Sequence, residues 1–475
     1  MNNADIERVL SKHNAAIIAP AGHGKTEMIV DLVAHSSGKQ LLLTHTNAGV
    51  DALQKRLKKK QVPSDKYAIY TIAGFCMKWC DAYPRTAELK DIPMSDKGFY
   101  PMYYQGLAKL FSYEWARLAL KNTYLSIIVD EYQDCMLNQH AIFLKINEFM
   151  PVYIMGDPLQ AIFGWAGELV SWNSLEFEIV PVDTYPWRWY KTNQELGQFL
   201  SDIRKDLFPA LSGSSVSIPT VDYGNSIKIV PPNGKTHPGF LKKLQEYDSV
   251  LYITKWSREQ VIVCQSTGGL FQNDEPQSLN ELYEIAEIVD KQDGYSMGKA
   301  ICSLFNMCAT HVNEELGTYW KHVQDGNIDF TRIKKHQDFG ELLANVVKAH
   351  RKEDVLRIMT WFRNNSLFRI YRKELFLEVM RAINYSIVHG CAVIEAAHII
   401  RMMPGQQKRY SEFKNLSSRT VLSKGLEYDC VVIDLTQAHR KGSEFLATDY
   451  YVALSRAMKK VYLITERDTV TLLPC

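Results

Sequence analysis

Short apolar runs alternate with amphipathic stretches in the first part of the chain. The first two runs are each followed by apolar residues at the spacing of a helix face. Buried strands that alternate with helices predict an α/β fold, because parallel strands need a helix-sized connection. The runs whose residues favour buried strands are Ala15–Ile18, Leu41–Leu43, Ile127–Val129 and Val152–Met155.

This alternation is interrupted twice. Residues from Phe75 to Lys121 are rich in aromatic side chains and show no strand–helix alternation, which predicts an insertion. Short β-like runs return at Ser226–Val230 and Ser249–Thr254, joined by the Pro- and Gly-rich stretch Pro231–Gly239. Residues 266–415 then follow helical periodicity, so we expect a second, mainly helical insertion there.

Length and composition are typical of a multidomain globular protein. At 475 residues the chain is long enough for about three domains, and its 46% of hydrophobic residues allow sizeable cores. The formal net charge of +2 neither favours nor disfavours a nucleic-acid partner. Because the chain has no 18-residue apolar run and no basic, apolar leader, we expect a cytoplasmic protein without a membrane partner. Its nine cysteines lack metal-site spacing and predict reduced thiols.

The stretch from Ala19 to Thr26 has the pattern of a phosphate-binding loop between a strand and a helix. Glycines let backbone N–H groups approach phosphates, a lysine reaches the terminal phosphates, and a threonine hydroxyl binds Mg²⁺. Ala19 stands where the pattern has its first glycine, and a glycine-rich turn without a ligand is the alternative. The residues expected to contact nucleotide are Gly22, His23, Gly24, Lys25 and Thr26.

Acidic and polar residues follow two later strands. Asp130 and Glu131 come directly after Ile127–Val129, where a nucleotide-binding sheet carries a Mg²⁺ ligand and a water-orienting base. Gln160 follows the next strand and is a candidate sensor of a γ-phosphate. Trp165 offers a flat face to an unstacked base. An acidic turn and a core tryptophan are the alternative interpretations.

Two weaker signals concern nucleic acid. Thr46 and Asn47 follow Leu41–Leu43 at the strand end where open α/β sheets bind ligands, although a helix N-cap explains them equally well. Between Thr331 and Lys373 there are eleven Lys or Arg residues against four Asp or Glu residues. This excess indicates either a solvated helix face or a surface that follows a nucleic-acid backbone.

Five motifs follow the phosphate loop in a fixed order. They are Asp130-Glu131-Tyr132-Gln133-Asp134, Gly156-Asp157-Pro158-Leu159-Gln160, Gly164-Trp165, Ser423-Lys424-Gly425-Leu426-Glu427-Tyr428 and Tyr451-Val452-Ala453-Leu454-Ser455-Arg456-Ala457. In order and approximate spacing they resemble the motifs of the UvrD/Rep/PcrA helicases of superfamily 1. The resemblance covers residues 15–190 and about 416–465, and no motif matches between 266 and 415.

The resemblance implies ATP and Mg²⁺ as cofactors and gives roles to catalytic residues. Lys25 and Thr26 would bind phosphate and Mg²⁺, and Asp130 and Glu131 would complete metal binding and water activation. Gln160 would couple the γ-phosphate to the strand-binding surface.

Further roles follow from the same resemblance. Arg188 and Arg456 would reach the γ-phosphate from the second lobe, as arginine fingers do. Trp187 would stack on adenine, and Glu427 would hold the ribose. The residues expected to face nucleic acid are Thr46, Asn47 and Trp165.

The fold implied by the resemblance is α/β, with two RecA-like parallel-sheet lobes that each carry a mainly helical insertion and bind ATP between them. Lobe 1 would comprise residues 1–74 and 122–190, with an insertion at 75–121. Lobe 2 would comprise residues 191–265 and 416–475, with an insertion at 266–415.

The activity implied is that of an ATP-dependent DNA translocase or helicase that moves 3′ to 5′ on single-stranded or partly duplex DNA. Three departures from the family concern the nucleic-acid side: His45 replaces an aromatic residue, Ile72-Ala73 replaces a Phe-His pair, and Ala166 replaces an arginine. The glutamine that reads adenine upstream of the loop is also missing, since the first glutamine is Gln40.

Three alternatives remain. One is an ATPase that senses DNA ends or gaps without processive unwinding. Another is a subunit whose ATPase state regulates a partner nuclease in a hetero-oligomer, because short chains of this kind resemble the helicase-like subunits of Gabija-type anti-phage systems. The third is a small-molecule kinase with a phosphate loop.

Overall fold

The computed structural model describes residues 1–94, 96–164, 167–275, 279–402, 413–436 and 444–475. Contacts group the chain into two compact units. The first comprises Met1–Ile227, Ala438–Lys460 and Asp468–Cys475, and the second comprises Lys228–Gln437 and Val461–Arg467.

The strands are numbered in chain order among the described residues. They are β1 Asn14–Ile18, β2 Gln40–Thr44, β3 Tyr67–Thr71, β4 Ser126–Val129, β5 Val152–Gly156, β6 Val216–Pro219, β7 Ile227–Val230, β8 Val250–Thr254, β9 Gln272–Asn273, β10 Asn415–Arg419, β11 Tyr428–Asp434, β12 Ala457–Ile464 and β13 Thr469–Leu472.

The α-helices are numbered in the same way. They are α1 Asn3–Leu10, α2 Lys25–His35, α3 Asn47–Lys59, α4 Ile72–Ala82, α5 Phe99–Leu110, α6 Glu114–Thr123, α7 Leu137–Asn147, α8 Trp187–Tyr190, α9 Gln194–Leu207, α10 Pro238–Leu244, α11 Ser257–Ser266, α12 Asn280–Asp290, α13 Gly294–Cys308, α14 Val312–Gln324, α15 Gln337–Ala349, α16 Lys352–Asn364, α17 Lys373–His389, α18 Val393–Met402, α19 Thr420–Ser423 and α20 Ala447–Leu454.

The first unit contains a five-stranded parallel sheet in the order β1-β5-β4-β2-β3. Every residue of β2, β4 and β5 is buried, as expected for strands covered by helices on both faces. Alternate residues of β4 enter two cores: Ile127 and Val129 pack in the cluster that contains Phe75, and Ile128 packs with Met28 and its neighbours. Because the strands are parallel, the segments that follow β1, β2, β4 and β5 share one edge of the sheet.

The first predicted insertion is helical. Within residues 75–121 the chain forms the rest of α4, then α5 and most of α6. Their buried aromatic residues, such as Phe111, extend the core on one face of the first sheet. An antiparallel pair, β6 with β13, also belongs to this unit.

The second unit contains most of a six-stranded sheet in the order β7-β12-β11-β8-β10-β9. Strand β8 pairs in parallel with both β10 and β11, and β9 pairs in parallel with β10. The β-like runs predicted at 226–230 and 249–254 correspond to β7 and β8.

Helices α12–α18 form a helical layer with its own core in the second unit. Phe305 and Phe362 stack there with ring centroids 4.0 Å apart. Several basic residues between 331 and 373 form ion pairs with acidic side chains, among them Lys335 with Glu315 and Arg372 with Glu275. Lys335 is exposed, whereas Arg372 and Glu275 are buried, so Arg372 does not lie on a surface that could follow a phosphate backbone.

The α/β fold with two parallel sheets and helical insertions is confirmed. The predicted lobe boundaries stay a prediction, because the compact units place residues 191–227 and 438–460 with the first sheet. The physical reason for that grouping is that α20 packs on the 3₁₀ turn Pro158–Gln160 and on α9. No single helix among the described residues is long and apolar enough to cross a membrane, and only α17 and α18, bent by 112°, pass that test as a pair.

Candidate functional site

The phosphate-loop sequence occupies the turn between β1 and α2. Gly22 and Gly24 have φ angles of +71° and +85°, which side chains with a Cβ rarely adopt. The Ala19 amide donates to the Gly156 carbonyl at 3.0 Å, and Lys25 Nζ donates to the Ala19 carbonyl at 3.3 Å. Ala19 does not have a positive φ, so alanine is tolerated where the pattern has its first glycine.

Trp189 lies directly against the loop. A Cβ added at Gly22 would lie 2.6 Å from the Trp189 ring, and the indole is almost fully buried. The Trp189 Nε1 donates to the Ala457 carbonyl at 2.7 Å, and the Arg188 amide donates to the Gly22 carbonyl at 3.0 Å. The loop therefore needs glycine at 22 for both its backbone conformation and this contact.

The acidic pair follows β4 at the same sheet edge. The Glu131 amide donates to Asp130 Oδ1 at 2.9 Å, and Glu131 has a φ of +54°, a strained value for a glutamate. Gln133 is fully buried; its Nε2 donates to the Glu131 carboxylate and its Oε1 accepts from the Asp157 amide at 3.0 Å. Gln133 thus ties the candidate base after β4 to the segment after β5.

Asp157 is the most connected side chain of the site. It is fully buried, and its carboxylate accepts from the Ala21 amide at 3.1 Å and from Gln160 Nε2 at 2.9 Å. Arg204 Nη1 donates to both carboxylate oxygens, at 2.9 and 2.8 Å. Gln160 is therefore fixed to the phosphate loop through one carboxylate.

The two predicted arginine fingers meet at Ser455. Arg188 Nη1 donates to the Ser455 carbonyl at 2.6 Å, and Arg456 Nη2 donates to the Ser455 hydroxyl at 2.8 Å. Arg456 is nearly fully buried and also donates to the Val452 carbonyl at 3.0 Å. Both arginines belong to the same compact unit as Lys25. The resemblance implied that both reach from the second lobe, although the predicted boundaries put residue 188 in the first lobe.

The pKa of His23 is sensitive to the charges around the phosphate loop. Burial and the nearby Arg204 guanidinium lower the pKa of His23 to about 4, against an opposing effect of Asp157, and Lys25 and Arg188 lower it further. Its buried Nδ1 has no hydrogen-bond partner among the described residues. A neutral imidazole surrounded by cationic side chains indicates a site prepared for an anion.

The other residues predicted to contact nucleotide are Thr26, Trp187 and Glu427. Thr26 is the second residue of α2 and is half-buried. The Trp187 ring is 60% exposed and its Cδ1 lies 3.4 Å from a Cβ added at Gly24, so it borders the loop. Glu427 is exposed, immediately before β11, in the second unit.

The predicted nucleic-acid residues are only partly placed. Thr46 is the N-cap of α3, and its hydroxyl accepts from the Gly49 amide at 3.1 Å. Asn47, the first residue of α3, is exposed at the carboxyl end of β2. Trp165 lies outside the described residues.

These donors fit ATP with Mg²⁺. The left-handed glycines free the loop backbone for phosphate, Lys25 and Arg188 supply positive charge, and the dipole of α2 adds to it. Hard oxygen donors suited to Mg²⁺ are present in the Thr26 hydroxyl and the Asp130 carboxylate.

Sequence reasoning gave no role to four residues of the site. Gln133 and Asp157 lie inside two of the five motifs, but the motifs alone gave neither residue a role. The signal that could have found them is that a buried polar residue after a strand needs hydrogen-bond partners. Trp189 and Arg204 had weaker signals. Arg204 lies on an ordinary amphipathic helix, and nothing in its sequence neighbourhood marks it.

Three comparisons with known proteins gave matches to parts of this chain. A family model described as an AAA domain matches residues 2–165. The Gabija protein GajB of Bacillus cereus (strain VD045) is 26% identical over 201 aligned positions, which cover 34% of this chain and 40% of that protein. A solved complex of Arterivirus nonstructural protein 10 (helicase) with DNA matches at 11% identity and a TM-score of 0.35, over 98% of this chain and 64% of that one. The chain thus spans 40% of the curated relative's length and 64% of the solved chain's length.

Proposed function

We propose that this chain is a superfamily 1 helicase-like protein, a cytoplasmic ATPase that translocates 3′ to 5′ along single-stranded DNA and separates strands as it moves. The observation that carries the proposal is the gathering of the phosphate loop, the Asp130–Glu131 pair and Gln160 at one edge of a parallel sheet. Open α/β sheets bind ligands at this edge, and nucleotide hydrolysis needs this set of groups.

The chemistry proposed is in-line attack of water on the γ-phosphate. Lys25 neutralises charge on the terminal phosphates. The Thr26 hydroxyl and the Asp130 carboxylate would hold Mg²⁺, which would supply further positive charge there. Glu131, oriented by Gln133, positions the attacking water. Arg188 and Arg456, held on either side of Ser455, are available to stabilise charge on the transferred group.

The first test is substitution of the candidate base. Glu131→Gln keeps the side-chain shape but removes the carboxylate, so kcat for ATP should fall by about a hundredfold or more while nucleotide affinity changes little. A steady-state ATPase assay with and without single-stranded DNA measures this. The same substitution at the exposed Glu148, at the end of α7, is the control. Wild-type turnover in the Glu131 variant would contradict the assignment.

The second test concerns DNA. Stacking of a base on an aromatic side chain contributes about 1–3 kcal/mol, so Trp165→Ala should weaken oligonucleotide affinity by about 5- to 150-fold and blunt DNA stimulation, with basal ATPase retained. Trp115→Ala, at an exposed tryptophan of α6, is the control. If the Trp165 variant and the unaltered chain bind the oligonucleotide with equal affinity, Trp165 does not contact DNA.

A second candidate function is an ATPase subunit that senses DNA and regulates a partner nuclease in anti-phage defence. The match to a protein named Gabija protein GajB supports it, as do the family departures at His45, Ile72-Ala73 and Ala166. A strand-displacement assay on forked duplexes separates the two. DNA-stimulated ATPase without displacement favours the sensing subunit, and displacement that depends on a 3′ single-stranded tail favours the helicase.

The lobe boundaries given from the sequence are part of the proposal. In it, residues 191–265 and 416–475 form the second lobe, and Glu427 contributes a ribose contact from there. Trp187 supplies a stacking face for the base next to Gly24.

A further inference from the structure

An ion pair is buried beneath the phosphate loop. Arg204 and Asp157 are 5% and 0% exposed, and Arg204 Nη1 contacts both carboxylate oxygens. A buried pair of this kind is weak evidence for stability, because desolvation of two charges offsets most of their attraction. We therefore examine which segments the ion pair holds in place.

Asp157 holds two functional segments at once. One carboxylate oxygen, Oδ2, accepts from the Ala21 amide of the phosphate loop and from the Gln160 side chain. The other, Oδ1, accepts from the Leu159 amide at 3.3 Å. Only an ionised carboxylate has enough acceptor sites for all these donors together with Arg204. The charge on Asp157 is thus part of the loop geometry.

Arg204 supplies the countercharge from a different element. It lies on α9, and its guanidinium carbon is 5.4 Å from the centroid of the Phe208 ring and 5.0 Å from that of the Tyr451 ring of α20. Cation–π contacts with both rings help to hold the guanidinium where one of its nitrogens meets Asp157. Helix α20 leads directly into Ser455 and Arg456. Arg204 therefore joins the phosphate loop, Gln160 and the arginine-bearing end of α20.

We propose that Arg204 is a positioning residue for ATP hydrolysis: through Asp157 it aligns Gln160 and the phosphate loop with the arginines that follow α20. This inference rests on the proposed ATPase function. Arg204 touches no substrate in it. Its loss should lower turnover because Gln160 and the loop lose their common anchor, whereas the remaining loop contacts still bind the α- and β-phosphates of ADP.

The single variant Arg204→Met is a poor test, because the lone buried Asp157 charge would destabilise the fold. The double variant Asp157→Asn/Arg204→Met removes both charges together. The amide oxygen of asparagine cannot serve all the donors that the carboxylate serves. Because neither charge is left buried without its partner, the double variant should keep most of the stability of the unaltered chain. The donors that asparagine leaves unserved include those that align Gln160, so that alignment is lost. Lys205→Ala, at the exposed neighbouring position of α9, is the matched control.

Three measurements are made on the full-length chain: the urea midpoint, the affinity for a fluorescent ADP analogue, and kcat for ATP with saturating single-stranded DNA. For the double variant we expect a near-normal midpoint, ADP affinity within threefold of the unaltered chain, and kcat at least tenfold lower. Arg204→Lys, which keeps the charge, should recover part of kcat.

Two results would overturn the proposal. A double variant with a normal midpoint and kcat within twofold of the unaltered chain would show that the pair serves only folding. A fall in ADP affinity that matches the fall in kcat would show collapse of the loop and no specific effect on Gln160. Absence of ATPase in the unaltered chain is a different outcome, because it removes the proposed function itself and this inference with it.

Discussion

Protonation of His23 should couple the stability of the phosphate loop to pH. Burial and the cations around it lower the pKa of His23 from 6.5 to about 4. The unfolded chain therefore binds a proton below pH 6.5 that the folded chain binds only below about pH 4, so stability is lost as pH falls through this window. Between pH 7.5 and pH 5 the loss works out at about 2 kcal/mol, because the unfolded imidazole is almost fully protonated at pH 5 while the folded one is not.

The variant His23→Gln removes this titration. Urea unfolding at intervals from pH 7.5 to pH 5 gives the free energy of unfolding for both chains, and the difference between them should change by about 2 kcal/mol in favour of the variant at the acid end. Other titrating groups, including Asp274, cancel in this difference. His35→Gln, at the exposed end of α2, is the control. A pH-independent difference would refute the claim that cations and burial keep His23 neutral.

Two further predictions concern the phosphate loop and the recognition of the nucleotide base. Gly22→Ala should weaken binding of an ADP analogue by at least about tenfold and destabilise the fold by about 1–2 kcal/mol or more, because it adds a contact with Trp189 to the backbone strain. Gly213→Ala has a similar φ but open space around its Cβ, and separates strain from contact. GTP should support hydrolysis with a kcat/KM within about tenfold of that for ATP, or roughly 1.4 kcal/mol, because the chain has no glutamine before Gln40 and the Asn2 amide is already bonded to Asp5 and Asp183. A much larger preference for ATP would mean that another group reads the base.

The sequence predicted strands β2, β4 and β5 because every residue of these strands is buried. Ile127–Val129 and Val152–Met155 can be recognised locally, since continuous apolar runs between polar ends fit such strands. The grouping of Arg456 with a second lobe followed the chain order and stays a prediction. The contact that the sequence did not indicate is that of the preceding helix with Pro158–Gln160. Long-range packing of that kind leaves no local pattern, so residue spacing could not reveal it.

Within the site, the sequence located the groups that are proposed to act on phosphate but not the side chains that hold those groups in place. Lys25 and Glu131 stand in motifs whose chemistry is readable from residue type and spacing. Arg204 can be recognised only once the structure places it against Asp157, because a lone arginine on an amphipathic helix normally faces solvent.

Two of the three departures from the helicase pattern follow strands away from the phosphate loop in the first sheet; the third, Ala166, follows Gln160 in the sequence. His45, Ile72 and Ala73 follow β2 and β3, the strands farthest from β1 in the sheet order, whereas the phosphate loop, Asp130 and Gln160 follow β1, β4 and β5. In the proposed function, substitutions at the ends of β2 and β3 would alter DNA contacts and leave in place the hydrogen bonds that join Glu131, Gln133 and Asp157. ATP hydrolysis and strand separation would then be separable properties. A protein that kept the first and lost the second would need no change in its nucleotide site, which is why DNA-stimulated ATPase alone cannot distinguish a helicase from a sensing subunit.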